Sequence, residues 1–578
     1  MIGETGVVYR LSMPAPHTHL LEVACQVKDV GSPIRLVMPS WTPGSYLLRE
    51  FARHVQSFAA EAGDGTPLCW TKLDKNRWEV EAPRDGVLQV RYTVYANELT
   101  VRTSHLDASH GYVNGAGVFM YVEGREELAC MLQVSAPEGW HVTTSLSCTD
   151  ASFRAADYHT LIDSPIEIGT HAIFPFDVGG VPHRYAVWGR GNLDPERLVR
   201  DTQRIIDAGA NFWGGLPYPH FTFLLHLLPG GQGGLEHRDS CSLQADRWAF
   251  RGREYEQFLS LVAHEHFHAW NGKRLYPAAL EPVDYTRENY TRDLWVVEGV
   301  TTYYTDRMLR ASGVITPKRY LERLGDMINR LQTLPGRHRQ TLADSSFDSW
   351  IRFYRPDENS SNSQISYYQK GALVGLLLDL RIRRLTANRR SLDDVMRLLW
   401  ERFGMHGMGY PEGALECTAE EVCGAPLRNF FDASLRSTAE LNYSDELTAV
   451  GLGLTPGAGA GDVQLGVQVR EEAGRLRVTQ VLAGTPASRG GLNAGDELVA
   501  LDGLRLTGPG LSARLAERRP GQQIQLTVFR RDELLTLHVT PEAVAARPLQ
   551  LKRASNPTSL QEAAYRSWLY LDPARETD

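Results

Sequence analysis

The run VAHEHFHAWNGKR at residues 262–274 constrains this chain most, because it holds His264, Glu265 and His268 in the order His-Glu-x-x-His. On an α-helix, side chains four positions apart face the same way, so both imidazoles address one point in space while Glu265 sits on the flank. That arrangement suits a zinc ion, whose catalytic sites take three protein ligands and keep a fourth position open. The residues before it read as helix: Tyr255, Phe258, Leu259, Val262 and Ala263 recur at helical spacing, and Gly272 can close the element. The third ligand has to come from elsewhere. Glu298 in LWVVEGVTTYYTDRM is the candidate, since Leu294, Val297, Thr301 and Tyr304 mark a second helix and an acidic residue on its apolar side needs a reason to be there. A solvated helix glutamate is the alternative.

A chain of 578 residues is too long for one core and should hold three or four domains. With 42% hydrophobic and 22% charged residues it reads as an ordinary globular protein. The net charge of -8 and the absence of a Lys/Arg block argue against nucleic acid or an anionic membrane as partner. No basic segment leading into an apolar one opens the chain, so a cytoplasmic location is expected, or a periplasmic one if a leader has been removed. The most apolar runs, residues 221–228 and 372–380, are too short to span a bilayer. Seven scattered cysteines without CxxC spacing read as free thiols in a reducing compartment.

Residues 1–172 alternate with period two, as in HLLEVACQV and VLQVRYTVYA, and form an all-β domain. Within it, WTPGSYLLREF either closes two strands or faces the active site, and His105 and His110 read as loop residues. From 173 to 454 strands give way to helices. Asp194 caps and Pro195 opens a helix, and HFTFLLHLLPG is a strand running into the loop GGQGGLEHRDS. There Gly233 and Gly234 allow close approach to a substrate backbone, and Glu236 and His237 follow. Thr316 and Pro317 begin another helix, Tyr367 and Tyr368 stand where a polar loop enters the next, and Thr418 with Glu421 forms a capping box. Residues 455–463, TPGAGAGDV, are a linker. Residues 464–545 are a compact β-rich module, and the tail 546–578 carries a short helix.

The module's Leu465-Gly466-Val467, Thr485-Pro486-Ala487 and Ala494-Gly495-Asp496 resemble a bacterial PDZ domain, which implies that it holds the C-terminal carboxylate of a peptide in the backbone amides of the Leu465-Gly466-Val467 loop. With HEHFHAWNGKR, WVVEGVTTYY, GGLEHRDS and SYYQKG, the whole chain resembles the PDZ-containing glycyl aminopeptidases of metallopeptidase family sixty-one, and more distantly aminopeptidase N and leukotriene hydrolase. The implied fold is multidomain α+β: an N-terminal β domain, a thermolysin-like, mostly helical zinc peptidase domain, and a C-terminal PDZ domain.

The resemblance implies one zinc per chain on His264, His268 and Glu298, with Glu265 as general base, Tyr368 as oxyanion donor and Glu236 as anchor for the substrate ammonium. The implied substrates are peptides with a free N-terminus, beginning with glycine or another small residue. Two departures from the distant relatives stand out: 29 residues separate His268 from Glu298, and His237 replaces their asparagine. The competing readings are a PDZ-based binding protein with lost or altered peptidase activity, and a zinc endopeptidase.

Overall fold

Alternating apolar residues along the first third of the chain bury one side of each strand, and the strands assemble accordingly. The computed structural model describes residues 6–28, 31, 33–81, 83–84, 86–457, 463–507, 510–543 and 548–571. Two compact units emerge. The first comprises Met1–Thr291, Tyr304–Ile315 and Arg397–Glu412, and the second Arg292–Tyr303, Thr316–Met396 and Gly413–Asp578.

In the first unit a seven-stranded sheet runs in the order Ser147–Thr149, Ser152–Ala155, Cys130–Ser135, Val7–Ser12, Leu20–Lys28, Val87–Tyr95, Val55–Ala62. Leu11, Val23 and Val90 of this sheet share one buried core with Leu36, Trp78, Phe119 and Ile168. A separate four-stranded sheet includes His105–Leu106, His110–Val113 and Ile166–Gly169, so His105 and His110 are strand residues rather than loop residues.

The sheet that positions the site has the order Ala172–Val178, Val181–Gly189, Phe221–Leu228, Ser240–Asp246, Gln232–Glu236. Its three inner strands are parallel and its two edges antiparallel. The helix Pro195–Trp213 crosses between two of the parallel strands, with the Asp194 side chain accepting from the Arg197 amide as the sequence predicts. The glycine-rich stretch expected as a loop is therefore a paired edge strand as far as Glu236. The histidine helix, Gly252–Phe267, also stops earlier than expected. His268 is its C-cap, and Gly272, at φ +118°, sits in the following turn with its amide on the Leu275 carbonyl.

In the second unit the segment carrying Glu298 begins as a π-helical turn, Trp295–Val300, before it continues as the α-helix Thr301–Ala311. The expected capping box is absent: the helix Ala414–Cys423 starts after Gly413, which leaves Thr418 inside it. Five strands, Val467–Glu472, Arg475–Val481, Glu497–Leu501, Ile524–Arg530 and Glu533–Val539, enclose Leu476, Val478, Leu498, Leu526 and Val528. The expected linker is partly strand, because Leu452–Pro456 pairs with Leu549–Arg553; its residues 458–462 lie outside those described. The tail is docked. Its helix Ser559–Trp568 has a capping box at Thr558, and Trp568 Nε1 donates to Tyr303 Oη at 3.1 Å. Among the described residues no helix is long and apolar enough to cross a membrane.

Candidate metal centre

One turn of the histidine helix separates His264 and His268, whose Nε2 atoms stand 3.1 Å apart. The opposite ring nitrogens are engaged. His268 Nδ1 donates to the Asn271 carbonyl at 2.7 Å, and His264 Nδ1 lies 3.2 Å from Thr305 Oγ1. Tying Nδ1 to an outer partner leaves Nε2 for an ion, the usual device for orienting an imidazole ligand. Thr305 belongs to the same continuous helical run as the buried Glu298. The ligand atoms of His264, His268 and Glu298 lie within 4.8 Å of one another. Two imidazoles and one carboxylate are the donor set of a catalytic zinc, so these residues fit that ion.

A second trio overlaps the first: Glu236, Glu265 and His268 also have ligand atoms within 4.8 Å, and all three are buried. Glycines make the room. A Cβ on Gly234 would collide with the Glu265 carboxylate, and one on Gly44 would come 2.6 and 2.7 Å from the two Glu236 oxygens. The turn at residues 42–45 does not join two strands directly: Thr42 and Ser45 form an isolated bridge, and Gly44, at φ +88°, abuts Glu236. Arg102, which no local pattern singles out, donates from Nη2 to the Gly234 carbonyl at 3.1 Å and so braces the edge strand.

Side chains alternate along an extended chain, and His237 turns away from Glu236 to meet Asp163, Nδ1 to Oδ1 at 3.2 Å. Asp163 also takes Lys273 Nζ at 2.6 Å and the Arg238 amide at 2.8 Å. Burial would raise its carboxyl, but Lys273 and His237 more than offset this and hold it well below the usual range. Arg274 pairs with Asp239 at 2.7 Å, and Trp270 stacks on Trp213. The charged residues after the histidine motif therefore brace the turn that carries it.

Tyr368 enters through a tight crossing in the second unit. A Cβ on Gly299 would stand 2.6 Å from Gly371 Cα and 2.7 Å from the Tyr367 carbonyl, so the helix Tyr367–Leu385 lies directly on the π turn. Burial first, and then the charge of Glu298, push the Tyr368 hydroxyl well above its ordinary range. Phe353 stacks on the Tyr368 ring at 5.4 Å.

In the C-terminal module Gly466 has φ +79°, and a Cβ there would collide with Thr485. The Leu465 carbonyl accepts from the Ala487 amide and the Gly466 carbonyl from the Leu482 amide, both at 2.9 Å. Val467 opens an edge strand of its sheet. On either side of Leu482, Asn362 holds the backbone: Nδ2 donates to the Val481 carbonyl at 2.9 Å and Oδ1 accepts from the Ala483 amide at 2.8 Å.

Known families match these regions. Residues 8–170 match the Peptidase M61 N-terminal domain, residues 257–374 the M61 glycyl aminopeptidase, and residues 463–540 a PDZ domain. A crystal structure of an aminopeptidase N family protein from Idiomarina loihiensis is 32% identical, with a TM-score of 0.92, over 97% of this chain and 100% of that one. The chain belongs to the M61 glycyl aminopeptidase family. This M61 member is a zinc-dependent metalloaminopeptidase, a hydrolase, with a multidomain α+β fold that includes a PDZ region. An M1 zinc metallopeptidase from Deinococcus radiodurans shares 15% identity at a TM-score of 0.47, over 76% of this chain and 97% of that one. No curated protein matches.

Proposed function

We propose that the enzyme releases an N-terminal glycine or other small residue from peptides with a free amine, using one zinc per chain held by His264, His268 and Glu298. The observation that supports this reading is the overlap of the two trios at His268, with one oxygen each of Glu236 and Glu265 within 4.8 Å of a His268 ring nitrogen. When bound, zinc supplies positive charge that polarises the peptide carbonyl and acidifies water.

Glu265 is the general base. It takes the water proton as oxygen attacks and passes it to the departing amine. The Tyr368 hydroxyl, kept protonated by burial, donates to the developing oxyanion, a contribution of about 3 kcal/mol for donors of this kind. Glu236 pairs with the substrate ammonium, which restricts cutting to the first bond. Gly233 and Gly234 let the substrate backbone lie along the edge strand, while His237, through Asp163, steadies the turn that follows. The preference for a small first residue rests on the family that the chain belongs to.

The modules of this reading are residues 1–172, 173–454 and 464–545, with 455–463 joining the last two and 546–578 as tail. The Leu465-Gly466-Val467 loop takes the C-terminal carboxylate of a second peptide.

Glycyl, alanyl and leucyl anilides, each free and N-acetylated, test the proposal. Free glycyl and alanyl substrates should turn over fastest, and acetylation should remove at least about 10²-fold of kcat/KM, the scale of losing a buried charge pair. Chelation should abolish turnover and added zinc restore it. Equal cleavage of acetylated and free substrate removes Glu236 as anchor, and full activity after chelation removes the metal.

A further inference from the structure

Away from that centre, three strands bring together His110, Glu167 and His226, each with no exposed surface. His110 Nε2 is 2.5 Å from Glu167 Oε1, and His226 Nε2 is 2.9 Å from Glu167 Oε2. One ligand atom from each residue falls within 4.8 Å of the other two. The rings are fixed from outside: His110 stacks on Trp188 at 4.1 Å, and the Tyr112 ring meets His226 edge-on at 4.9 Å.

A buried carboxylate needs a compensating positive charge. Among the described residues, the ion pairs of Glu167 are to these two imidazoles alone. A divalent ion at the point that the two Nε2 atoms and the carboxylate share supplies that charge and leaves both rings neutral.

We propose that His110 Nε2, Glu167 and His226 Nε2 hold a second divalent cation of the zinc class, separate from the HExxH site. The nitrogen and carboxylate donor set selects that class over calcium or magnesium, which prefer oxygen alone. Its role is structural. His110 and Glu167 stand on paired strands of one sheet, while His226 stands on the middle strand of the sheet whose edge carries Glu236, so the ion staples the two sheets together. Ligands about 2.0–2.1 Å from a tetrahedral ion stand about 3.4 Å apart, so binding would draw Glu167 back from His110 by less than about 1 Å.

Metal counting on the full chain, purified without chelator and read by plasma mass spectrometry, tests this independently of activity. The wild type should carry two zinc-class ions per chain. His110→Asn and Glu167→Gln should each carry one, His268→Asn should lose the other, and the double variant of His110 and His268 should carry none. Stepwise chelation should lower Tm in the wild type and in His268→Asn, and should not lower it further in His110→Asn. One ion per chain in the wild type overturns the proposal, as do two in Glu167→Gln and His110→Asn; the trio is then a hydrogen-bonded cluster only. The wild-type count stands even if a variant fails to fold.

Discussion

The carbonyl of Asn271 decides which nitrogen of His268 faces outward, and it does so from three residues away, immediately after the helix has ended. Glu265, by contrast, is free of ligand duty in the proposed assignment. Glu265→Gln keeps the shape but cannot take a proton, so kcat should fall about 10²–10⁴-fold with metal content unchanged. Tyr368→Phe should cost about 10²–10³-fold in kcat. Because the hydroxyl is held protonated far above its ordinary range, that loss should be equal at neutral and mildly alkaline pH; a loss that fades with rising pH would remove Tyr368 as donor. Asp163 carries a pH signature of its own. Its folded carboxyl lies below the ordinary value of about 3.9, so its stabilisation is present above that value and is lost as pH falls through the folded one, since the unfolded chain takes up the proton first. Asp163→Asn should therefore narrow the gap between urea midpoints measured at neutral and at acid pH.

At the scale of elements, the crossing of the π turn with the helix Tyr367–Leu385 depends on two missing side chains. Gly371→Ala drives a methyl into Gly299 and the Trp295 carbonyl, and overpacking of this kind costs about 1–3 kcal/mol. Urea unfolding should show it, together with a fall in kcat as Tyr368 is moved. The sequence made some of this geometry legible and concealed the rest. Four-residue spacing alone puts the two imidazoles on one helix face, and the Asp194-Pro195 start was readable because capping is local chemistry. The π turn was not readable, because an extra residue wound into one turn leaves the apolar spacing almost unchanged. Gln232–Glu236 read as loop because glycine has no strand signal, although pairing with Ser240–Asp246 makes it an edge strand. His110, Glu167 and His226 escaped for a different reason: they meet through the register of separate strands, which no short window contains.

For the whole molecule, the tail matters more than its sequence suggested. Trp568 is fully buried and reaches Tyr303, whose hydroxyl donates to Asp379 at 2.5 Å, while Arg383 bonds both Asp379 and Ser567. Trp568→Ala should cost about 3–5 kcal/mol, read as a lower urea midpoint of the full chain. Asn362 has a consequence of a different kind. Its one amide grips the backbone on both sides of Leu482, and Leu482 in turn holds the Gly466 carbonyl. The stretch that carries Asn362 also delivers Phe353 to the Tyr368 ring. Residues 353–362 thus connect the backbone beside Gly466 to the aromatic wall of Tyr368 through one short length of chain.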